Sequence, residues 1–136
     1  MVREAISKDL PLAAELMGQL WTAHGFDDHD DSYRRSRTQK IMETCDCYLV
    51  GDPPIAFAAL QDIGDHMLIR QFCLDASHRG QGKGRAVFEA LKNHAFPDRS
   101  SRLFAHIGNA ASRKFWEKMG YSAFAYAMER EAEVTK

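Results

Sequence analysis

The apolar positions of this chain fall into short runs and helical stripes that alternate along its length. Val2 to Ile6 is brief and apolar enough for a first strand. Ser7 or Asp9 then stands where a helix cap is needed, and Pro11 is tolerated in the first turn because no intrahelical N–H is lost there. Ala13, Leu16, Met17 and Leu20 repeat at the i, i+3, i+4, i+7 spacing of an amphipathic helix, which predicts a helix to about Trp21. His24 to Asp31 breaks the pattern with two histidines, four aspartates and a glycine, the composition of a loop. A second helix is predicted from Ser32 to Thr44, with only Tyr33, Ile41 and Met42 to anchor it.

From Cys47 onward the spacing becomes that of strands. Cys47 to Val50 and Ile55 to Gln61 flank the turn residues Gly51-Asp52-Pro53-Pro54 and read as a hairpin. A turn around Gly64-Asp65 leads into His66 to Leu74, the longest predicted strand. A glycine-rich turn follows, and a helix begins at once, with Val87, Ala90, Leu91 and His94 on one face and Pro97 as its stop. Arg102 to Ile107 predicts a further strand. Asn109 is placed to cap a last helix whose Ala111, Phe115 and Met119 face inward, and Gly120 suits its C-terminal end. Tyr121 to Glu129 closes the chain as a strand with Phe124, Tyr126 and Met128 on one face. No repeat, low-complexity tract or linker interrupts this order, so one α/β domain over residues 1–136 is expected.

Hydrophobic residues make up 45% of the chain, enough for a single mixed core without a covalent staple. Eighteen basic and nineteen acidic side chains leave a formal charge of −1, which argues against a general nucleic-acid or anionic-membrane partner. No run is long enough to span a membrane, and the first residues do not have the pattern of a secretion signal. Cys45 and Cys47 stand one residue apart in a predicted strand, a poor geometry for a disulfide, and Cys73 leaves an odd count. A reducing, cytoplasmic setting is expected.

The candidate chemistry lies in Arg79-Gly80-Gln81-Gly82-Lys83-Gly84-Arg85, between a strand and a helix. Glycine lets a backbone approach a ligand closely and aim successive N–H groups at it, and a helix N-terminus adds its dipole. Arg79, Lys83 and Arg85 supply positive charge beside those donors, so the segment suits a phosphate. A dinucleotide fingerprint fails on spacing, since counting from Gly80 or Gly82 puts Arg85 or Val87 at the last glycine. A Walker loop fails twice, at Ser77 and at Gly84. The pattern Arg/Gln-x-x-Gly-x-Gly/Ala is met at every position.

With that turn, preceded by Ile69-Arg70-Gln71-Phe72-Cys73-Leu74-Asp75 and followed later by Asn109-Ala110-Ala111-Ser112-Arg113-Lys114-Phe115-Trp116-Glu117-Lys118-Met119-Gly120-Tyr121, the chain resembles the GNAT superfamily of N-acetyltransferases. The resemblance implies a central mixed, largely antiparallel sheet of about six or seven strands, flanked by about four helices. A V-shaped splay would separate the fourth and fifth strands. It also implies acetyl-CoA as cosubstrate, no metal, and direct transfer of acetyl to a primary amine on a small molecule or peptide. Backbone groups of Phe72, Cys73 and Leu74 would pair with the pantetheine arm, with the Leu74 N–H polarising the thioester carbonyl. Arg79 and the amides of Gly80, Gln81, Gly82, Lys83, Gly84 and Arg85 would hold the pyrophosphate, and Asn109 would reach the pantetheine while serving as a helix cap. Dimers are common in such folds.

The resemblance leaves the proton transfers unassigned. Many family members use a glutamate six residues before the Leu74 position as base, and here that place holds Leu68. The place of a tyrosine that often protonates the thiolate holds Trp116, whose indole is far too weak an acid. Positioning and the Leu74 contact would then carry the rate, with protons moving through water. Asp27, Asp28, Asp30 and Asp31 would attract a cationic amine, whereas Arg70, sharing a face with Phe72 and Leu74 under strict alternation, would favour a carboxylate. His66, on the same alternation, is a weaker candidate base. An acyl-CoA sensor without turnover is the rival reading, and a nucleotide-binding protein a more distant one.

Overall fold

The computed structural model describes residues 1–23, 25 and 30–133. Strand β1 (Val2–Glu4) leads through a 3-10 turn (Ser7–Asp9) into helix α1 (Leu10–Ala23), which is followed by α2 (Asp31–Thr44). Strands β2 (Asp46–Gly51), β3 (Pro54–Asp62) and β4 (Met67–Leu74) come next, then a 3-10 turn (Ala76–His78) and α3 (Lys83–Ala95). Strand β5 (Ser101–Leu103) and α4 (Ala110–Lys118) complete the regular elements. The sheet runs β1-β2-β3-β4-β5 in sequence order. Its first four strands are antiparallel, with short turns joining β2 to β3 and β3 to β4 and the two helices lying between β1 and β2, and among the described residues β5 alone is parallel to its neighbour after the α3 crossover.

Alternation along β2 and β3 gives the sheet two buried faces. Cys47, Leu49, Phe57 and Ala59 point toward α1, where Ala13, Leu16 and Met17 meet them. Val50, Ala56, Ala58 and Leu60 point the other way, onto Val87, Phe88 and Leu91 of α3 and onto Phe96. Phe88 was not among the face-defining residues expected from the sequence, yet it is 1% exposed and central to this cluster.

The helix ends follow local chemistry. Asp9 accepts the Ile6 N–H at 2.8 Å and takes both guanidinium nitrogens of Arg3 at 2.9 Å, tying β1 to the start of α1. Asp30 caps α2 by accepting the Tyr33 N–H at 2.8 Å. Ile41 and Met42 of α2 pack against the α1-side core as expected, Thr38 is fully buried with its hydroxyl donated to the Arg34 carbonyl, and Tyr33 meets Trp21 edge-on while staying 42% exposed. The chain leaves α3 at Ala95, before Pro97.

Two expectations change. The strand predicted over Arg102–Ile107 forms only at Ser101–Leu103, because β4 bends away beyond Ile69 and later residues have no ladder partner. The strand predicted over Tyr121–Glu129 is absent among the described residues. A strand exists through its backbone partner, and so short a β5 offers too few bonds to recruit one. Among the described residues the sheet therefore has five strands rather than six or seven. Phe88→Ala should lower the free energy of unfolding by about 3–5 kcal/mol, read as a lower urea midpoint at unchanged slope.

Candidate functional site

The fourth and fifth strands share only three register positions, Met67 with Ser101, Leu68 with Arg102 and Ile69 with Leu103. At the next residue β4 carries a bulge. Gln71 faces Ala59 and Ile69 faces Leu60, leaving Arg70 as an extra residue without a partner on β3. A bulge bends its strand and increases the local twist. The ladder to β5 ends where this one sits, so the two strands diverge into the V expected between the fourth and fifth strands.

The bulge also corrects the face assignment. Met67 and Ile69 before it lie on the α3 side, and so do Phe72 and Leu74 after it. Arg70 is thus out of alternation with Phe72 and Leu74; its exposed side chain donates to Gln61 Oε1 at 2.8 Å. His66 loses its predicted face for the same reason. It is buried at the closed end of the strand, where Nδ1 lies 2.6 Å from Asp65 Oδ1.

Ladder geometry decides which backbone groups face the gap. The Asp75 N–H donates to the Ile55 carbonyl at 2.8 Å, and bonded pairs alternate along an antiparallel ladder. Cys73, opposite Phe57, therefore turns its N–H and C=O toward β3. Phe72 and Leu74 turn theirs toward the open side. Consistent with this, the Leu74 carbonyl accepts the Arg79 Nε–H at 3.1 Å.

Beyond Leu74 the glycine-rich turn is already braced. Its start is held to α1 by the Ala76 N–H donating to Gln19 Oε1 at 2.7 Å. Gln81 donates back to the Ser77 carbonyl at 3.0 Å, and Lys83 Nζ lies 2.8 Å from His78 Nδ1. Gly80 and Gly82 both have φ of +73°, a region costly for side-chain-bearing residues, and a Cβ at either would meet open space. Gly82 caps α3 without a side chain, so no side-chain oxygen occupies the N–H groups of the first helical turn. Gly84 has a different role from its neighbours. A Cβ there would come within 3.0 Å of the Phe115 ring, so the absent side chain lets α3 approach α4.

Aromatic side chains fill the α3–α4 side of the V. Phe72 stacks on Phe115 (centroids 6.3 Å, planes at 12°) and meets Phe88 and Trp116 edge-on. Trp116 also packs on Tyr121, whose hydroxyl lies 2.6 Å from Ser101 Oγ. Trp116 is thus a packing residue, and Leu68, flanked by ladders on both sides, carries no acid–base group. Asn109 realises its capping role, with Oδ1 accepting the Ser112 N–H at 3.0 Å. Cys73 points into the α1 core at 1% exposure, and burial pushes its thiol up to about 12. Cys45, Cys47 and Cys73 are all free thiols.

Of the acidic loop, Asp27 and Asp28 lie outside the described residues, as do His24 and His29. Asp30 is engaged in capping α2, and Asp31 pairs with Arg35 at 3.4 Å. No group of three or more potential metal ligands occurs among the described residues, and no described helix is long and apolar enough to cross a membrane. A groove of about 820 Å³ runs between α1 (Glu15, Gly18, Gln19), α2 (Arg34, Arg35) and Arg79. The Arg34 guanidinium lies across Gly18, whose missing side chain makes room for it. Sequence reasoning missed Gln19, the bulge and Gly84's packing role. An i, i+3, i+4 stripe marks which helix residues face the core but not which polar neighbour holds a distant turn.

The sequence profile of the acetyltransferase (GNAT) family matches residues 12–121, most of the chain. The chain belongs to that family. Among curated proteins no sequence matches it. Solved structures similar to this GNAT chain include a possible acetyltransferase from Clostridium difficile 630, at 17% identity and a TM-score of 0.76, covering 99% of this chain and 98% of that one. Aminoglycoside N-acetyltransferase AAC(6')-Iy in complex with CoA is 15% identical with a TM-score of 0.71, covering 98% and 95%. Aminoglycoside 6'-N-acetyltransferase AAC(6')-IG from Acinetobacter haemolyticus is 13% identical with a TM-score of 0.72, covering 99% of each chain. At such identities the likeness is one of fold.

Because its thiol is buried on the far side of the sheet from the aromatic wall, Cys73 should resist alkylation. Iodoacetamide at pH 8 should modify the half-buried Cys45 and leave Cys73 unlabelled until the protein is unfolded, as read by mass spectrometry of digested peptides.

Proposed function

We propose that this GNAT protein, acting as a single domain over residues 1–136, transfers acetyl from acetyl-CoA directly to a primary amine. The observation that carries the reading is the continuity between the free edge of β4 at Phe72 and Leu74, the Gly80–Gly82 turn and the uncapped N-terminus of α3. An extended ligand arm with a pyrophosphate at one end suits that line of donors. Phe72 and Leu74 would pair with the pantetheine as a strand edge does, with the Cys73 backbone held on β3. Amides of Gly80, Gln81, Gly82, Lys83, Gly84 and Arg85 would receive the pyrophosphate, aided by the α3 dipole and by the charges of Arg79, Lys83 and Arg85. The free amide nitrogen of Asn109, whose oxygen caps α4, would reach the pantetheine from the other arm of the V.

Acetyl-CoA supplies the activated thioester. The Leu74 N–H would then stabilise charge developing on the carbonyl oxygen, an effect worth roughly 10²–10³ in rate at comparable sites. Direct attack is favoured because the strand's own thiol, Cys73, faces away and stays protonated. With Leu68 and Trp116 in the usual acid–base places, the amine would lose its proton to water, and rate should rise with pH as the acceptor becomes neutral. The groove beside Arg79 offers space for a small-molecule acceptor, the substrate class of the aminoglycoside acetyltransferases of similar fold. The missing acid–base side chains favour one rival, a sensor that holds acyl-CoA without turnover.

Gly82→Val tests the cradle. A branched side chain at φ +73° is strained and would stand among the phosphate-facing amides. Acetyl-CoA affinity by calorimetry should fall at least tenfold while circular dichroism stays native, and Lys83→Ala should lose less. Normal binding by folded Gly82→Val would place the phosphate site elsewhere. CoA release with a panel of amines separates enzyme from sensor, since a sensor binds and releases none.

A further inference from the structure

Two features that lower stability meet at one arginine of α2. Gly18 is buried in the interior of α1, where glycine is less favourable than alanine because it has more backbone freedom to lose. A Cβ built there would stand 3.1 Å from Arg34 Cδ and 3.3 Å from both Nε and Nη1. The bare backbone is what lets the arginine lie across the helix. Arg34 gains no bond by lying there. Its Nε is buried without a hydrogen-bond partner, and no described residue forms an ion pair with its guanidinium. Buried donors left unsatisfied are costly, and native chains keep few of them.

Arg34 lies in the wall of the groove between α1 and α2, whose 820 Å³ or so is the size of a small-molecule site. Arg34, Arg35 and Arg79 line it against Glu15 and Asp31. Asp31 is paired with Arg35 at 3.4 Å, and Arg79 gives its Nε–H to the Leu74 carbonyl. With its outer nitrogens reserved for the pyrophosphate, Arg79 marks where the groove adjoins the free edge of β4. Arg34 is left as the groove's uncommitted cation among the described residues.

We propose that the acceptor amine carries a carboxylate, as an α-amino acid does, and that Arg34 binds it in this groove. The proposal rests on the acetyl-transfer reading and narrows its acceptor. A guanidinium presents paired N–H groups that match the two oxygens of a carboxylate, and a recess partly shielded from water strengthens such bonds. A phosphate of the cosubstrate is the other oxyanion that the same chemistry could take. The glycine turn and the start of α3 already provide for those phosphates, whereas Arg34 projects from α2, an element outside that turn. The carboxylate preference that strict alternation assigned to Arg70 thereby moves to α2, since Arg70 is engaged with Gln61.

Binding is read without turnover, by calorimetry on the full chain in saturating CoA. The probes are α-amino acids and, for each, the amine left when its carboxylate is removed. At least one amino acid should bind tenfold or more tightly than its decarboxylated partner. Arg34→Met keeps the aliphatic stem and should abolish that preference while leaving acetyl-CoA affinity and the melting temperature unchanged. Arg34→Lys should restore only part of it, because a point charge lacks the fork. Gly18→Ala should melt no lower than the parent, through helix propensity, yet weaken the preference by displacing the guanidinium. No binding by any probe, equal binding within every pair, or a preference that survives Arg34→Met would overturn the proposal. So would a loss of acetyl-CoA affinity in Arg34→Met, which would assign the arginine to a cosubstrate phosphate. A carboxylate preference abolished by Arg34→Met, but with no CoA released from acetyl-CoA, would uphold the site and sink the acetyl-transfer reading instead.

Discussion

Everything at the candidate site depends on one interruption of backbone hydrogen bonding, the parting of β4 from β5 after Ile69 and Leu103. In most sheets an inner strand has both edges consumed, so its N–H and C=O groups are unavailable to anything else. Here Arg70 is one residue too many for the β3 ladder, the strand bends, and Phe72 and Leu74 keep free edges in the interior of the fold. The turn at Gly80 and Gly82 and the start of α3 lie at the wide end of that opening because they are simply the next residues of the same chain.

An opening between strands would close unless something of fixed shape stood beside it. The aromatic group of Phe72, Phe88, Phe115, Trp116 and Tyr121 serves that purpose on the α3–α4 side. Rings packed edge to face have few alternative arrangements, and protein interiors transmit rather than absorb shape changes. Gly84 belongs to the same construction. Its Cα sits against Phe115, which sets how closely α3 can approach α4.

Much of this was legible in the sequence, and the exceptions have physical causes. Periodicity and cap residues identified α1, α3 and α4, and turn chemistry marked the β2–β3 hairpin, since those signals depend on residues close in the chain. The glycine turn and the Asn109 segment identified the family because their chemistry requires particular residues at fixed spacing. The bulge escaped notice because alternation of Met67, Ile69, Phe72 and Leu74 can only be judged against a partner strand. The last strand was over-read for a related reason. Phe124, Tyr126 and Met128 alternate correctly, but alternation says which face is apolar and not whether an edge is available to receive it. The burial of Thr38 beside the expected anchors Ile41 and Met42 was missed because a threonine that satisfies its own hydroxyl on the preceding turn is indistinguishable in sequence from one facing water.

The bracing of the glycine turn has a consequence for how tightly it could hold a ligand. Freezing the backbone of a flexible residue costs roughly 1–2 kcal/mol of entropy, and a loop that orders only on binding subtracts that from its affinity at every residue. From Asp75 to Gly82 this chain is fastened by Gln19, Arg79, Gln81 and Lys83 through contacts of its own. The disorder of that loop was removed when the protein folded, at the expense of folding stability. A phosphate arriving there would meet donors already in place, so its affinity would not be lowered by the cost of ordering the loop.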